Sequence, residues 1–375
     1  MRFHVLIWIT IAFTAGLFAK DLPINTTDWT ILGDESGIEQ HLGRTAIALK
    51  GGQAIYKGID FENGVIEFDV AFPSDRNFIG VFWRSVDAGN YEDFYMRPHQ
   101  SGKGDANQYT PVFNGNSGWQ LYHGEGYGAP TEYLFDRWMP VKIVVAGDRA
   151  KIYIRDMTTP AFITHQFKRD LVSGKVGLKN GRFAKAWFSN IRISTDMPAP
   201  ITGELPEIAA APQHTLMSYE VSTGFPEKQL EKKYRLEKSD KQGLKWMKLD
   251  TEANGIANLS RLQTHRGDNN TAFVKVTIES YKEQLKELKF GYSDRVKVYV
   301  NDRLLYSGNN GYRTRDFRYL GTIGLFDSVY LPLKRGSNEI WFAVSENFGG
   351  WGILAQLENT NGIRVLNRLQ LASNE

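Results

Sequence analysis

Between residues 22 and about 195, hydrophobic and polar positions alternate in short runs. Ile66, Phe68, Val70 and Phe72 are separated by Glu67, Asp69 and Ala71. A period of two puts the apolar set on one face of a strand, because successive side chains leave the pleat on opposite sides. Residues 141–145 and 150–154 flank Gly147-Asp148, a pair that closes a tight hairpin. Further apolar or aromatic runs lie at 79–83, 91–96, 176–178 and 186–193, punctuated by Gly and Asn. No segment here keeps a 3.6-residue period. Many short strands with regular turns predict an all-β sandwich of the jelly-roll kind.

The pattern lapses at 197–213. Met197-Pro198-Ala199-Pro200, Leu205-Pro206 and Ala209-Ala210-Ala211-Pro212 have no periodicity and read as a semi-extended linker. Alternation then resumes. Ala272, Val274, Val276 and Ile278 form one strand, and 296–300 runs into the turn Asn301-Asp302. Val329, Leu331 and Leu333 form another, and Gly336-Ser337-Asn338 turns into 340–344. The charged stretch 227–248 reads as a short helix or a solvated loop. The expectation is two jelly-roll sandwiches, 20–196 and 214–375, joined by the linker and folding as separate cooperative units.

The first residues carry a different pattern. Arg2 and His4 precede an apolar run from 5 to 18, followed by Ala19-Lys20-Asp21. That run is short for a membrane span and fits an export signal over 1–19, with an uncleaved anchor as the alternative. With Cys count 0, an exported chain fits a bacterial periplasm or exterior, since secreted eukaryotic domains carry disulfides. The expected location is extracytoplasmic, with no membrane span after signal cleavage. The three Asn-x-Ser/Thr sequons at Asn25, Asn258 and Asn269 are short enough to arise by chance.

Charge removes further classes. Lys and Arg number 45 against 42 acidic residues, a net charge of +3. So small an excess gives no electrostatic case for nucleic acid. The absence of cysteine excludes a thiol nucleophile and Cys-bound metal.

Gly174-Lys175-Val176-Gly177-Leu178, the run Ala186-Trp187-Phe188-Ser189-Asn190-Ile191-Arg192-Ile193, and Gly64-Val65-Ile66-Glu67-Phe68-Asp69-Val70 are arranged in a familiar way. Over roughly 27–195 the chain resembles the concanavalin A-like (laminin G-like) jelly rolls. Within them it is most similar to the bacterial 3-keto-disaccharide hydrolase-type domains. Tyr91-Glu92 stands where that family opens a central strand, and Asp93-Phe94-Tyr95-Met96-Arg97-Pro98-His99 then departs from its pattern. Asp294-Arg295-Val296-Lys297-Val298-Tyr299-Val300-Asn301-Asp302 resembles the strand and turn of galactose-binding-like sandwiches, over about 240–358. That resemblance implies an accessory module. Glu67 and Asp69 invite comparison with the paired carboxylates of β-glucanases, but Phe72 replaces the third acid, and alternation sends both to an outer face.

The densest polar-aromatic tract runs from 84 to 123. Aromatic faces pack on the C–H side of a pyranose ring, while planar hydrogen-bonding groups satisfy its hydroxyls. The candidate ligand-binding residues are Arg84, Tyr95, Arg97, His99, Gln108, Tyr109, Trp119, Gln120 and Tyr122. Alternation places Glu92, Phe94 and Met96 on one face and Tyr91, Asp93, Tyr95 and Arg97 on the other. The bland alternative is a satisfied polar network bridging long loops. For a glycoside hydrolase, Glu92 with His99 or His123 would form the acid–base pair. No cofactor and no metal site are expected. Calcium held by Asp105, Asn107 and the backbone of Gly102 and Gly104 is the alternative. In the second unit, the loop 309–316 and the turn 347–352 are rim candidates, with Trp351 either platform or core plug. The expected function is glycan recognition by the first sandwich. Hydrolysis of a modified glycoside and docking of a protein partner are the alternatives.

Overall fold

A computed structural model describes residues 20–265 and 267–366. The expected export signal lies outside the described residues. No helix among the described residues is long and apolar enough to cross a membrane.

The chain is all-β. In the first sandwich one sheet runs Phe162–Ile163, Arg149–Ile154, Met139–Ala146, Gly64–Ala71, Ala186–Ser194, Arg44–Leu49, Gly37–His41. The facing sheet runs Asn116–Ser117, Asn107–Phe113, Asn90–Met96, Ile79–Asp87, Lys175–Asn180, Gly52–Tyr56, Trp29–Leu32. All their pairings are antiparallel. Ile66, Phe68 and Val70 meet Val81, Trp83, Phe94 and Met96 between the sheets. Burying each such side chain stabilises the fold by about 1.5–3 kcal/mol. Asp69 points outward, as its alternation predicts, and accepts from Arg44 Nη1 at 2.5 Å. Gly147 takes φ 62° at the predicted hairpin, where Ala146 pairs with Arg149.

In the second sandwich the larger sheet is ordered Trp246–Asp250, Ser218–Ser222, Thr271–Ser280, Gly336–Ser345, Arg295–Val300, Arg303–Asn309. It packs on Ala257–Asn258, Gly352–Leu357, Gln284–Ser293 and Asp327–Leu333. Trp351 is a core plug: it is fully buried and its indole N–H donates to the Val344 carbonyl at 2.9 Å. The charged stretch 227–248 folds as the 3-10 turn Glu227–Leu230 and the one-turn helix Lys238–Lys241, capped reciprocally by Glu237 and Asp240.

The stretch 197–213 contains no strand, and the two sandwiches it links are in direct contact. Ile256, Ile323 and Leu354 of the second sandwich are buried in the hydrophobic cluster of the first. Gln120 is the densest polar link. Its N–H donates to the Gly349 carbonyl at 2.7 Å and its Nε2 to the Leu320 carbonyl at 2.9 Å, while its Oε1 accepts from Ser293 Oγ at 2.9 Å. A Cβ at position 349, where φ is 107°, would fall 2.4 Å from Gln120 Oε1, so only glycine admits the amide. Tyr122 donates to Glu252 and accepts from Asn258 Nδ2 at 3.1 Å. The partners in the side-chain bonds lie 130 to 200 residues apart in sequence, beyond the reach of any periodicity.

Candidate functional site

The face of the second sheet turned away from the core forms the floor of a cleft. Gly80 pairs with Tyr95 on one neighbouring strand and with Lys179 on the other, so these positions share that face. A side chain at Gly80 would collide with the Phe94 carbonyl, 2.1 Å from its Cβ. The bare position lets Lys179 reach across, placing its ammonium 5.2 Å from the Tyr95 ring centre and in an ion pair with Asp93. Asp93 is buried, with Oδ2 on Lys179 and Oδ1 lacking any hydrogen-bond partner. Burial pushes its carboxyl above the usual range against the opposing pull of Lys179.

Arg97 organises the rest of the floor. Its Nη1 donates to Asp105 Oδ1 at 2.6 Å, and its Nη2 donates to Tyr95 Oη at 2.8 Å and Gln108 Oε1 at 2.6 Å. His99 follows on the 3-10 turn Pro98–Gln100, edge-on to Phe78 with ring centres 5.7 Å apart. Its Nδ1 is buried without a partner. Burial lowers the affinity of the His99 imidazole for a proton, and Arg76, Arg97 and Lys103 lower it further.

One wall is aromatic and comes from both sandwiches. Trp119 lies 6.1 Å from Phe348, and Phe348 lies 6.0 Å from Tyr312. Phe348 is 51% exposed, so its ring is open to a ligand in the cleft. The cleft holds about 580 Å³. Asp105, Trp119 and Leu320 also border a recess of about 40 Å³, lined by Gln108, His123 and Tyr127.

Of the residues selected from sequence, Tyr95, Arg97, His99 and Trp119 line the cleft, and Gln108 and His123 line the recess. Arg97 spends both terminal nitrogens inside the protein and so positions Tyr95 and Gln108. Four others are buried elsewhere, which corrects their reading as ligand contacts. Arg84 is 1% exposed, and donates to the carbonyls of Glu62 and Gly147, each at 2.7 Å. Tyr109 donates to Glu92 Oε2 at 2.7 Å inside the sandwich. Gln120 and Tyr122 join the two sandwiches. The pair Glu92 with His99 or His123 is not assembled either: Glu92 faces the core with Phe94 and Met96, opposite to the cleft. Its complete burial pushes its carboxyl up to about 7, against the Tyr109 hydrogen bond.

The groups proposed for calcium are committed within the protein. Asp105 accepts from Arg97, and Asn107 donates to the Ala129 carbonyl at 2.9 Å. Among the described residues, no three His, Cys, Asp or Glu side chains gather to hold a metal ion.

Sequence reasoning did not select Asp93, Lys179, Arg76, Tyr312, Arg313 or Phe348, all of which line the cleft. Alternation had put Asp93 on the face of Tyr95 and Arg97. The loop holding Tyr312 and Arg313 and the turn holding Phe348 were flagged as rims, without a sign that they meet the first sandwich.

No protein-family model matches the chain, and no curated protein matches it. Solved structures similar to it include a CBM66 carbohydrate-binding module from Bacillus subtilis. That match has 19% identity and a TM-score of 0.35, covering 44% of this chain and 95% of the module. A Bacillus licheniformis β-glucanase matches at 12% identity and a TM-score of 0.35, covering 49% of this chain and 99% of the enzyme. Domain 4 of an extracellular GH43 arabinanase from Geobacillus stearothermophilus, solved with arabinotriose, matches at 12% identity and a TM-score of 0.32. It covers 44% of this chain and 82% of that domain. The first sandwich is a jelly-roll-type pair of facing antiparallel sheets. The geometry of the cleft carries the functional reading.

Proposed function

We propose that the chain is an exported glycan-binding protein whose ligand lies in the cleft between the two sandwiches. The observation that carries this reading is the combination of surfaces. The Trp119–Phe348–Tyr312 wall offers stacking faces, and the floor beneath offers Asp93, Lys179, Tyr95 and His99. A sugar ring needs both surfaces at once, because its C–H face is apolar while its rim is hydroxylated. The second sandwich is more than an accessory in this reading, since it supplies part of the wall.

A second reading, hydrolysis of a modified glycoside, now rests on Asp93. It is a buried cleft carboxyl raised above its usual range, with one oxygen unpartnered. A retaining glycosidase needs two carboxyl groups about 5 Å apart. Here both cleft carboxylates, Asp93 and Asp105, are neutralised by a cation. Binding without turnover is therefore the favoured function.

The test is a glycan array probed with the mature chain, followed by product analysis on each hit. Binding to a defined oligosaccharide that is lost in Trp119→Ala, with an unchanged melting curve, supports the reading. Binding that survives Trp119→Ala places the ligand elsewhere, and release of product from wild type but not from an Asp93→Asn variant shown by circular dichroism to remain folded would restore the hydrolase.

A further inference from the structure

We infer that the glycan taken by this cleft is anionic, bearing carboxylate or sulfate groups; the inference rests on the glycan-binding reading above. Four cationic side chains line the cleft, against two carboxylates. Lys179 is paired with Asp93 and Arg97 with Asp105. That leaves Arg76 from the first sandwich and Arg313 from the second.

Neither guanidinium has a carboxylate or other hydrogen-bond acceptor among the described residues. Each is held by aromatic rings. Arg76 lies 5.0 Å from the Phe183 ring centre and 5.9 Å from that of Phe78, and Arg313 lies 4.9 Å from that of Tyr312. Stacking restricts the planar group and leaves its N–H edge open, the geometry that receives carboxylate or sulfate in a bidentate manner.

The loop around Arg313 shows that this freedom is selective. Two neighbouring arginines are neutralised, Arg315 by Asp327 at 2.6 Å and Arg318 by Asp316 at 3.0 Å. Arg313, the one that lines the cleft, is left unpaired.

At His99 the charged groups that lower its proton affinity are Arg76, Arg97 and Lys103, all cationic, so the local field there is positive. A neutral sugar gains nothing from that field, whereas an anionic one gains in both encounter rate and orientation. Lys179 and Asp105, the partly exposed members of the two pairs, remain available to hydroxyls.

The experiment is calorimetric titration of the mature chain with matched probes. One pair is oligouronates and the same oligomers with carboxyl groups reduced to hydroxymethyl. The other is sulfated galactan oligomers and their desulfated counterparts. The anionic member of at least one pair is expected to bind about tenfold or more tightly than its neutral match. That preference is expected to vanish in Arg76→Gln/Arg313→Gln, whose residual affinity equals that for the neutral oligomer. Both residues are exposed, so the melting curve should not move. Raising salt from about 0.01 M to about 1 M, which shortens the Debye length from ~30 Å to ~3 Å, should also erase the preference. Preference for sulfate or for carboxylate identifies the source of the anion, and either supports the inference. Equal binding of charged and neutral partners, or a preference retained in the double variant, overturns it while leaving glycan binding intact. If no oligosaccharide of either kind binds and the glycan array is blank, the glycan reading falls with it.

Discussion

Asp93 and Lys179 lie on strands separated by a third and form an ion pair across it, because Gly80 leaves the intervening position bare. The pair fixes the floor of the cleft beneath Tyr95. It also sets a stability relationship, since a buried carboxylate is tolerable only with its cation in place.

Asp93→Asn alone is expected to cost about 3–5 kcal/mol, because it leaves Lys179 without its counter-charge in a partly dry site. Asp93→Asn/Lys179→Met should recover much of that loss. Urea denaturation of the two singles and the double checks this coupling. Strict additivity would show that the ion pair is absent in solution.

Glu92 gives the protein a pH dependence unrelated to the cleft. Burial raises its folded value from 4.5 to about 7, so the folded chain holds a proton that the unfolded chain releases. The stabilisation from this group is complete below about 4.5 and is lost as pH rises through about 7. At ~1.4 kcal/mol per unit, the loss is on the order of 3 kcal/mol. Glu92→Gln keeps the shape in neutral form and should flatten the dependence of Tm on pH across that window. A variant that keeps the full slope would assign it to another group.

The links through Gln120 and Tyr122 predict that both sandwiches unfold together. Scanning calorimetry of the protein should show one transition. Tyr122→Phe, which removes the Glu252 and Asn258 contacts, should lower stability by about 1–3 kcal/mol. Two resolved transitions in wild type would mean that the sandwiches are independent.

Much of the fold was legible because alternation is a local signal. Ile66, Phe68 and Val70 announced their strand and its buried face, and the same rule put Asp93, Tyr95 and Arg97 together. Which face would be open was not legible, since the facing sheet decides it and is assembled from distant segments. Arg84, Tyr109, Gln120 and Tyr122 were selected because they are planar and form hydrogen bonds. The same properties suit them to satisfy buried carbonyls and carboxylates, and sequence does not separate the two uses. Phe348 and Tyr312 were visible only as parts of polar turns. Their meeting with Trp119 depends on contacts between chain segments some two hundred residues apart.

The central claim is that a glycan binds between the two sandwiches, touching both. Phe348 tests it most directly, because it belongs to the second sandwich and is 51% exposed, so its removal should spare the fold. The measurement is calorimetric titration of wild type and Phe348→Ala with one array-identified oligosaccharide. Affinity in the variant is expected to fall roughly ten- to a hundredfold, with Tm unchanged. Wild-type affinity in Phe348→Ala would contradict the account and confine any binding to the first sandwich alone.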